Sequence, residues 1–138
     1  MNILAFLLAA VGAAAAPDNN VTSITCNLTL PDRSKFQLAG SFNDAGLHSN
    51  LSDLIRNKGV FAGPAEPVIV TDGTERYGWS LDDKSESQKF DATLTRYGRD
   101  AALFVIERRK FVGRHWNRSL IGVGLCKVRR RQAAGKAS

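Results

Sequence analysis

Apolar residues recur at every second position along most of this chain, and that period constrains its fold more than any other feature. Ile24, Cys26, Leu28 and Leu30 alternate with Thr25, Asn27 and Thr29. Successive side chains of a strand point to opposite faces, so this stretch reads as a half-buried strand. Turn chemistry follows at residues 31–34 (Pro-Asp-Arg-Ser), and Phe36, Leu38 and Phe42 continue the alternation, predicting an antiparallel hairpin. Val68, Ile69 and Val70 form another short strand, and Asp72-Gly73 is a hairpin-turn signal. Tyr77, Trp79 and Leu81 supply the partner strand, residues 82–89 a polar loop, and Phe90, Ala92 and Leu94 a further strand. After a turn at 97–100, the run Leu103-Phe104-Val105-Ile106 is continuously apolar, which predicts a strand covered on both faces. Gly113 marks a bend before the last strand, 120–128. There Ile121, Val123 and Leu125 share one face, and Gly122, Gly124, Cys126 and Val128 the other. Glycines on the cysteine's face let another backbone come close.

One segment breaks the pattern. Leu51, Leu54 and Ile55 fall on one face of a helix, so residues 50–58 are predicted helical, capped by Ser49 or Asn50 and ended by Gly59. Arg56 and Lys58 suit the negative end of its dipole. Some seven short strands with one short helix predict a mainly β fold, a small antiparallel barrel or sandwich.

The first sixteen residues decide how the two cysteines are read. Ile3 to Val11 are apolar, Gly12 and four alanines follow, and Pro17-Asp18 begins a polar stretch. An apolar core of about 7–15 residues before small residues is the pattern of a cleaved secretory signal, whereas a membrane helix needs about 20. Cleavage is expected at Ala15 or Ala16, in spite of a start that has no Lys or Arg. The alternative is a buried N-terminal element of a cytosolic protein. Export leaves about 120 residues, enough for a single domain from 17 to 128. It makes the protein periplasmic or secreted, without a membrane span in the mature chain. In an oxidising compartment Cys26 and Cys126 are expected to pair, tying the first strand to the last. Neither a CxxC nor a Cys/His cluster occurs, so no metal site and no cofactor are expected.

Charge is distributed unevenly. From Glu107 onward ten basic residues stand against one acid, about +9, which leaves about −3 for the rest of a chain whose net charge is +6. A polyanion partner is one reading, and charged strand edges with a solubilising tail at 129–138, read as disordered, are the other. The strongest ligand-binding candidate is the turn that carries Arg108, Arg109, Lys110, Phe111, Arg114, His115, Trp116 and Arg118. Its cations can pair with phosphates and its rings can stack on bases or sugars. Alternatively Phe111 and Trp116 cover the core while the charges face water.

No nucleophile elbow, zinc-protease motif, P-loop or dinucleotide fingerprint is present, and no catalytic residue stands out. His48 sits at the entry of the predicted helix and His115 in the basic turn, and each is more simply a surface residue than a base. The leading expectation is therefore a monomeric, non-enzymatic exported domain that binds a polyanion or an envelope protein. A hydrolase inhibitor and a small enzyme using His115 or His48 are the alternatives. Asn20, Asn27, Asn50 and Asn117 head glycosylation acceptor triplets, which have meaning only in a host with that machinery.

The stretch from Ala101 to Arg109, the Gly113 turn, and Gly122-Val123-Gly124-Leu125-Cys126-Lys127 together resemble the C-terminal half of small exported bacterial β-domain proteins. Those proteins also carry an early cysteine and end in a Gly-x-Cys strand. The resemblance covers the last third plus Cys26. It implies an exported β domain with a terminal-strand disulfide, and no particular ligand. The basic turn and Arg129-Arg130-Arg131 depart from it.

Overall fold

The computed structural model describes residues 21–63, 68–70 and 73–130. The predicted signal, Asp72 and residues 131–138 lie outside these.

Eight strands form one antiparallel sheet. They are β1 (Thr22–Thr29), β2 (Lys35–Asn43), β3 (Gly46–Ser49), β4 (Val68–Ile69), β5 (Glu75–Asp83), β6 (Gln88–Tyr97), β7 (Ala101–Val112) and β8 (His115–Arg130). The order across the sheet is β3-β2-β1-β8-β7-β6-β5-β4. Apart from β1 beside β8, every pairing joins strands consecutive in the chain, so the path is up-and-down. The mainly β expectation holds, with one strand more than predicted. The extra one is β3, whose four residues are too few to show a period.

The sheet curls until a two-residue segment touches strands from both of its ends. The Leu47 N–H donates to the Phe61 carbonyl at 2.8 Å, while Ala62 and Ser80 exchange hydrogen bonds of 2.9 and 2.8 Å. Phe61 and Ala62 thus bridge β3 to β5. The contact needs glycine: Gly46 has φ +121°, and a Cβ there would lie 2.3 Å from the Phe61 carbonyl oxygen.

The alternating residues point inward. Ile24, Leu28, Leu38, Leu47, Leu51, Phe90, Leu94, Phe104 and Ile106 are fully buried. Phe42 meets Tyr77 at 4.7 Å and Trp79 at 5.1 Å between ring centroids, joining β2 to β5 through the interior. The pairing of β1 with β8 places Cys26 opposite Cys126, and the disulfide is formed. Gly124 lies opposite Leu28, where an added Cβ would come within 1.9 Å of the Asn27 carbonyl oxygen.

Four expectations are corrected. The helix α1 covers only Leu51–Ile55 and ends at Arg56, in the left-handed region at φ 57°, before Gly59. Asn50 occupies the N-cap position without a side-chain capping bond, while the Ser49 hydroxyl accepts from the Leu51 N–H at 3.2 Å. The Asn50 side chain instead accepts from the Ala39 N–H and donates to the Gln37 carbonyl, both at 2.9 Å, pinning the helix start to β2. The apolar run in β7 is covered on one face only: Phe104 and Ile106 are buried, while Leu103 and Val105 are partly exposed. A single curled sheet has no second layer to cover its outside. The predicted polar loop at 82–89 is also shorter, because β5 runs to Asp83, a 3-10 turn spans Lys84–Glu86 and β6 starts at Gln88. Finally, β8 runs through Arg130, so Arg129 and Arg130 belong to the sheet.

Candidate functional site: the β7–β8 hairpin

β7 and β8 extend beyond β1. The β1–β8 ladder reaches only to Thr29 opposite Val123, whereas β8 begins at His115. Residues 115–121 therefore have β7 on one side and no strand on the other among the described residues. Beyond Lys110, whose partner on β6 is Gln88, only the Phe111 N–H reaches back, donating to the Ser87 carbonyl at 3.0 Å. The hairpin turns at Gly113, whose φ of +65° a β-carbon would oppose.

Pairing decides which face each residue of the basic turn occupies. The register changes between Ile106 opposite Gly122 and Glu107 opposite Leu120, leaving Ile121 as the extra residue. Beyond that bulge Arg109 faces Arg118, and Phe111 faces Trp116. These four lie on the outer face with Lys89, the β6 partner of Arg109. Arg108 and Lys110 alternate to the other face with His115, the partner of Val112. Arg108 stacks its guanidinium 5.7 Å from the centroid of buried Phe90, and its Nε is buried without a hydrogen-bond partner. Arg114 stands in the turn itself. The eight candidates thus form two groups back to back, with Arg114 at the tip.

On the outer face, Phe111 and Trp116 pack at 5.3 Å between centroids, yet they remain 44% and 46% exposed. They do not cover the core, because they stand on the outer face of the sheet. Lys89 Nζ and the Arg109 guanidinium lie 5.6 and 5.9 Å from the Trp116 centroid, within cation–π range. Two of the cations are already matched. Arg109 makes a two-pronged contact with Asp91, the second prong at 3.0 Å, and Arg118 lies 3.7 Å from Glu107. The Asp91 hydrogen bonds hold the Arg109 pKa above the ordinary arginine value, although partial burial opposes them.

Both ion pairs line a shallow groove of about 500 Å³ that runs over Ser80, Thr93 and Gly78. Its charges cancel internally, so it offers hydrogen bonds more than net attraction. Lys89, Lys110 and Arg114 have no ion pair among the described residues.

His48 and His115 are exposed on separate strands, β3 and β8. Neither has a hydrogen bond or ion pair to a carboxylate among the described residues. No group of three or more His, Cys, Asp or Glu side chains is placed to hold a metal among those residues. No helix among them is long and apolar enough to cross a membrane.

No family description, curated protein or solved structure matches this chain. Its function is therefore argued from its own surface.

Sequence reasoning missed Lys89, Asp91 and Glu107 as members of this site. The register of β6 against β7 brings Lys89 to Trp116 and Asp91 to Arg109, and that register depends on a contact between strands.

Proposed function

We propose that this protein is an exported, non-enzymatic binding domain that holds an anionic partner on the β7–β8 hairpin. The observation that carries this reading is the half-exposed Phe111–Trp116 pair at a projecting tip, with Lys89 and Arg109 over the indole. Burying both rings would stabilise most folds, so a solvent-facing pair beside Lys89, with Arg114 at the tip, supports a contact surface. The disulfide is compatible with an oxidising compartment, and the apolar start of the chain supports export.

Heparin binding measured against salt tests the proposal. Affinity is expected to fall steeply as salt rises. The double variant Lys89→Gln, Arg114→Gln is expected to flatten the slope of log K against log salt by about one per cation removed. Trp116→Ala is expected to weaken binding by about 1 kcal/mol. No affinity, or affinity indifferent to salt, overturns the electrostatic reading.

The edge of β8 at residues 115–121, without a partner strand among the described residues, favours a second reading, a protein–protein module such as a hydrolase inhibitor. A stoichiometric protein partner that stays bound in high salt would select it.

A further inference from the structure

The opposite end of β8 carries a second basic site. β7 begins at Ala101, opposite Lys127, but β8 continues to Arg130 with β1 still paired on its other side. This leaves a notch on the β7 side of β8. Among the described residues its one backbone closure is the Val128 N–H donating to the Asp100 carbonyl at 2.8 Å. Since N–H groups alternate sides along a strand, that of Arg130 points the same way. The notch opens into a cavity of about 750 Å³, lined by Arg96, Arg99, Lys127, Arg129 and Arg130 and by one acid, Asp100.

The cations reach this cavity from both faces of the sheet. Arg130 is the β1 partner of buried Thr22, and Arg96 the β7 partner of buried Ala102, so both stand on the inner face. Lys127 and Arg129 alternate to the outer face, and Arg99 belongs to the β6–β7 turn. Arg96 is held in place, with Glu75 3.6 Å from one terminal nitrogen while the other donates to the Arg99 carbonyl at 2.7 Å. Arg99, Lys127, Arg129 and Arg130 have no ion pair among the described residues. Four unmatched cations around one cavity repel each other and gain from a shared counter-charge. The hairpin differs, since two of its arginines are already neutralised.

We infer that this notch is a binding site for closely spaced tetrahedral oxyanions, the phosphate or sulfate groups of a polyanion. No aromatic ring lines it among the described residues, so it offers charge and hydrogen-bond donors without a stacking platform. It is separate from the hairpin: ten strand positions divide Ala101 from Phe111, about 33 Å at the rise of a strand. Partly exposed Leu103, Val105 and Val123 and exposed Leu125 occupy the outer face between them.

The test is a titration of the protein, purified from an oxidising host, followed by amide NMR. Tripolyphosphate is the phosphate probe and a heparin tetrasaccharide the sulfate probe. Shifts are expected at Arg99, Asp100, Val128 and Arg130 with at least one probe, and the probe that binds more tightly identifies the group. The triple variant Arg99→Gln, Lys127→Gln, Arg129→Gln is expected to weaken that binding about tenfold or more, as the loss of three charge contacts demands. Lys89→Gln with Arg114→Gln is expected to leave it unchanged. If the triple variant melts earlier than the parent, Arg99→Gln alone, in an exposed turn, serves and is expected to weaken binding severalfold. Unchanged affinity in the folded variant, or shifts confined to the hairpin or spread over all surface cations, overturns the inference. Loss of hairpin binding alone leaves the notch standing, so the two readings fail separately.

Discussion

Gly124 shows how much a single hydrogen atom decides. On the inner face of β8, opposite Leu28, it lets the strand approach the Asn27 carbonyl to a distance at which a methyl group would sit 1.9 Å from oxygen. Backbone cannot swing aside as a side chain can, so Gly124→Ala must push β8 away from β1 beside the disulfide. A loss of about 1–3 kcal/mol in urea unfolding is expected. Gly78→Ala is the control, because its added Cβ meets nothing within 4 Å. The glycine's role was legible beforehand, since it shares the cysteine's face. The partner carbonyl was not, because it belongs to a strand nearly a hundred residues earlier.

The connection between β5 and β6 is held by side chains of its own. The 3-10 turn Lys84–Glu86 is short, and Asp83 holds it. The Ser85 hydroxyl donates to Asp83 Oδ1 at 2.8 Å and the Gln88 amide to Oδ2 at 3.1 Å. These bonds, Ser85 first, favour the carboxylate and hold the Asp83 pKa below its ordinary value. A depressed folded pKa means stability that is present above the unfolded value and lost as pH falls through the folded one. Amide exchange at Ser85 to Gln88 is therefore expected to quicken as pH drops below about 4, after correction for intrinsic rates. Asp83→Asn should lose that dependence while keeping the strands. The same neighbourhood carries the hairpin's anchor, because Phe111 bonds to the Ser87 carbonyl.

Across the whole molecule, a two-residue bridge holds the sheet curled, and one covalent link ties its two middle strands together. The Cys26–Cys126 disulfide joins residues 100 apart in sequence on the adjacent strands β1 and β8. Replacing both cysteines by alanine is expected to lower stability by about 2–4 kcal/mol in urea unfolding without changing the strand content seen by circular dichroism. The strands, the paired cysteines and the basic end of the chain were readable because period two, residue type and charge are local properties. The tertiary structure decided three further things. It decided that Phe61 and Ala62 link β3 to β5, because two residues have no period to read. It decided that Asp91 and Glu107 neutralise Arg109 and Arg118, because cross-strand partners depend on register and on the bulge at Ile121. It decided that Arg96, Arg99, Lys127, Arg129 and Arg130 surround one notch, because β7 starts where β8 has not yet ended, and such an offset exists only between strands.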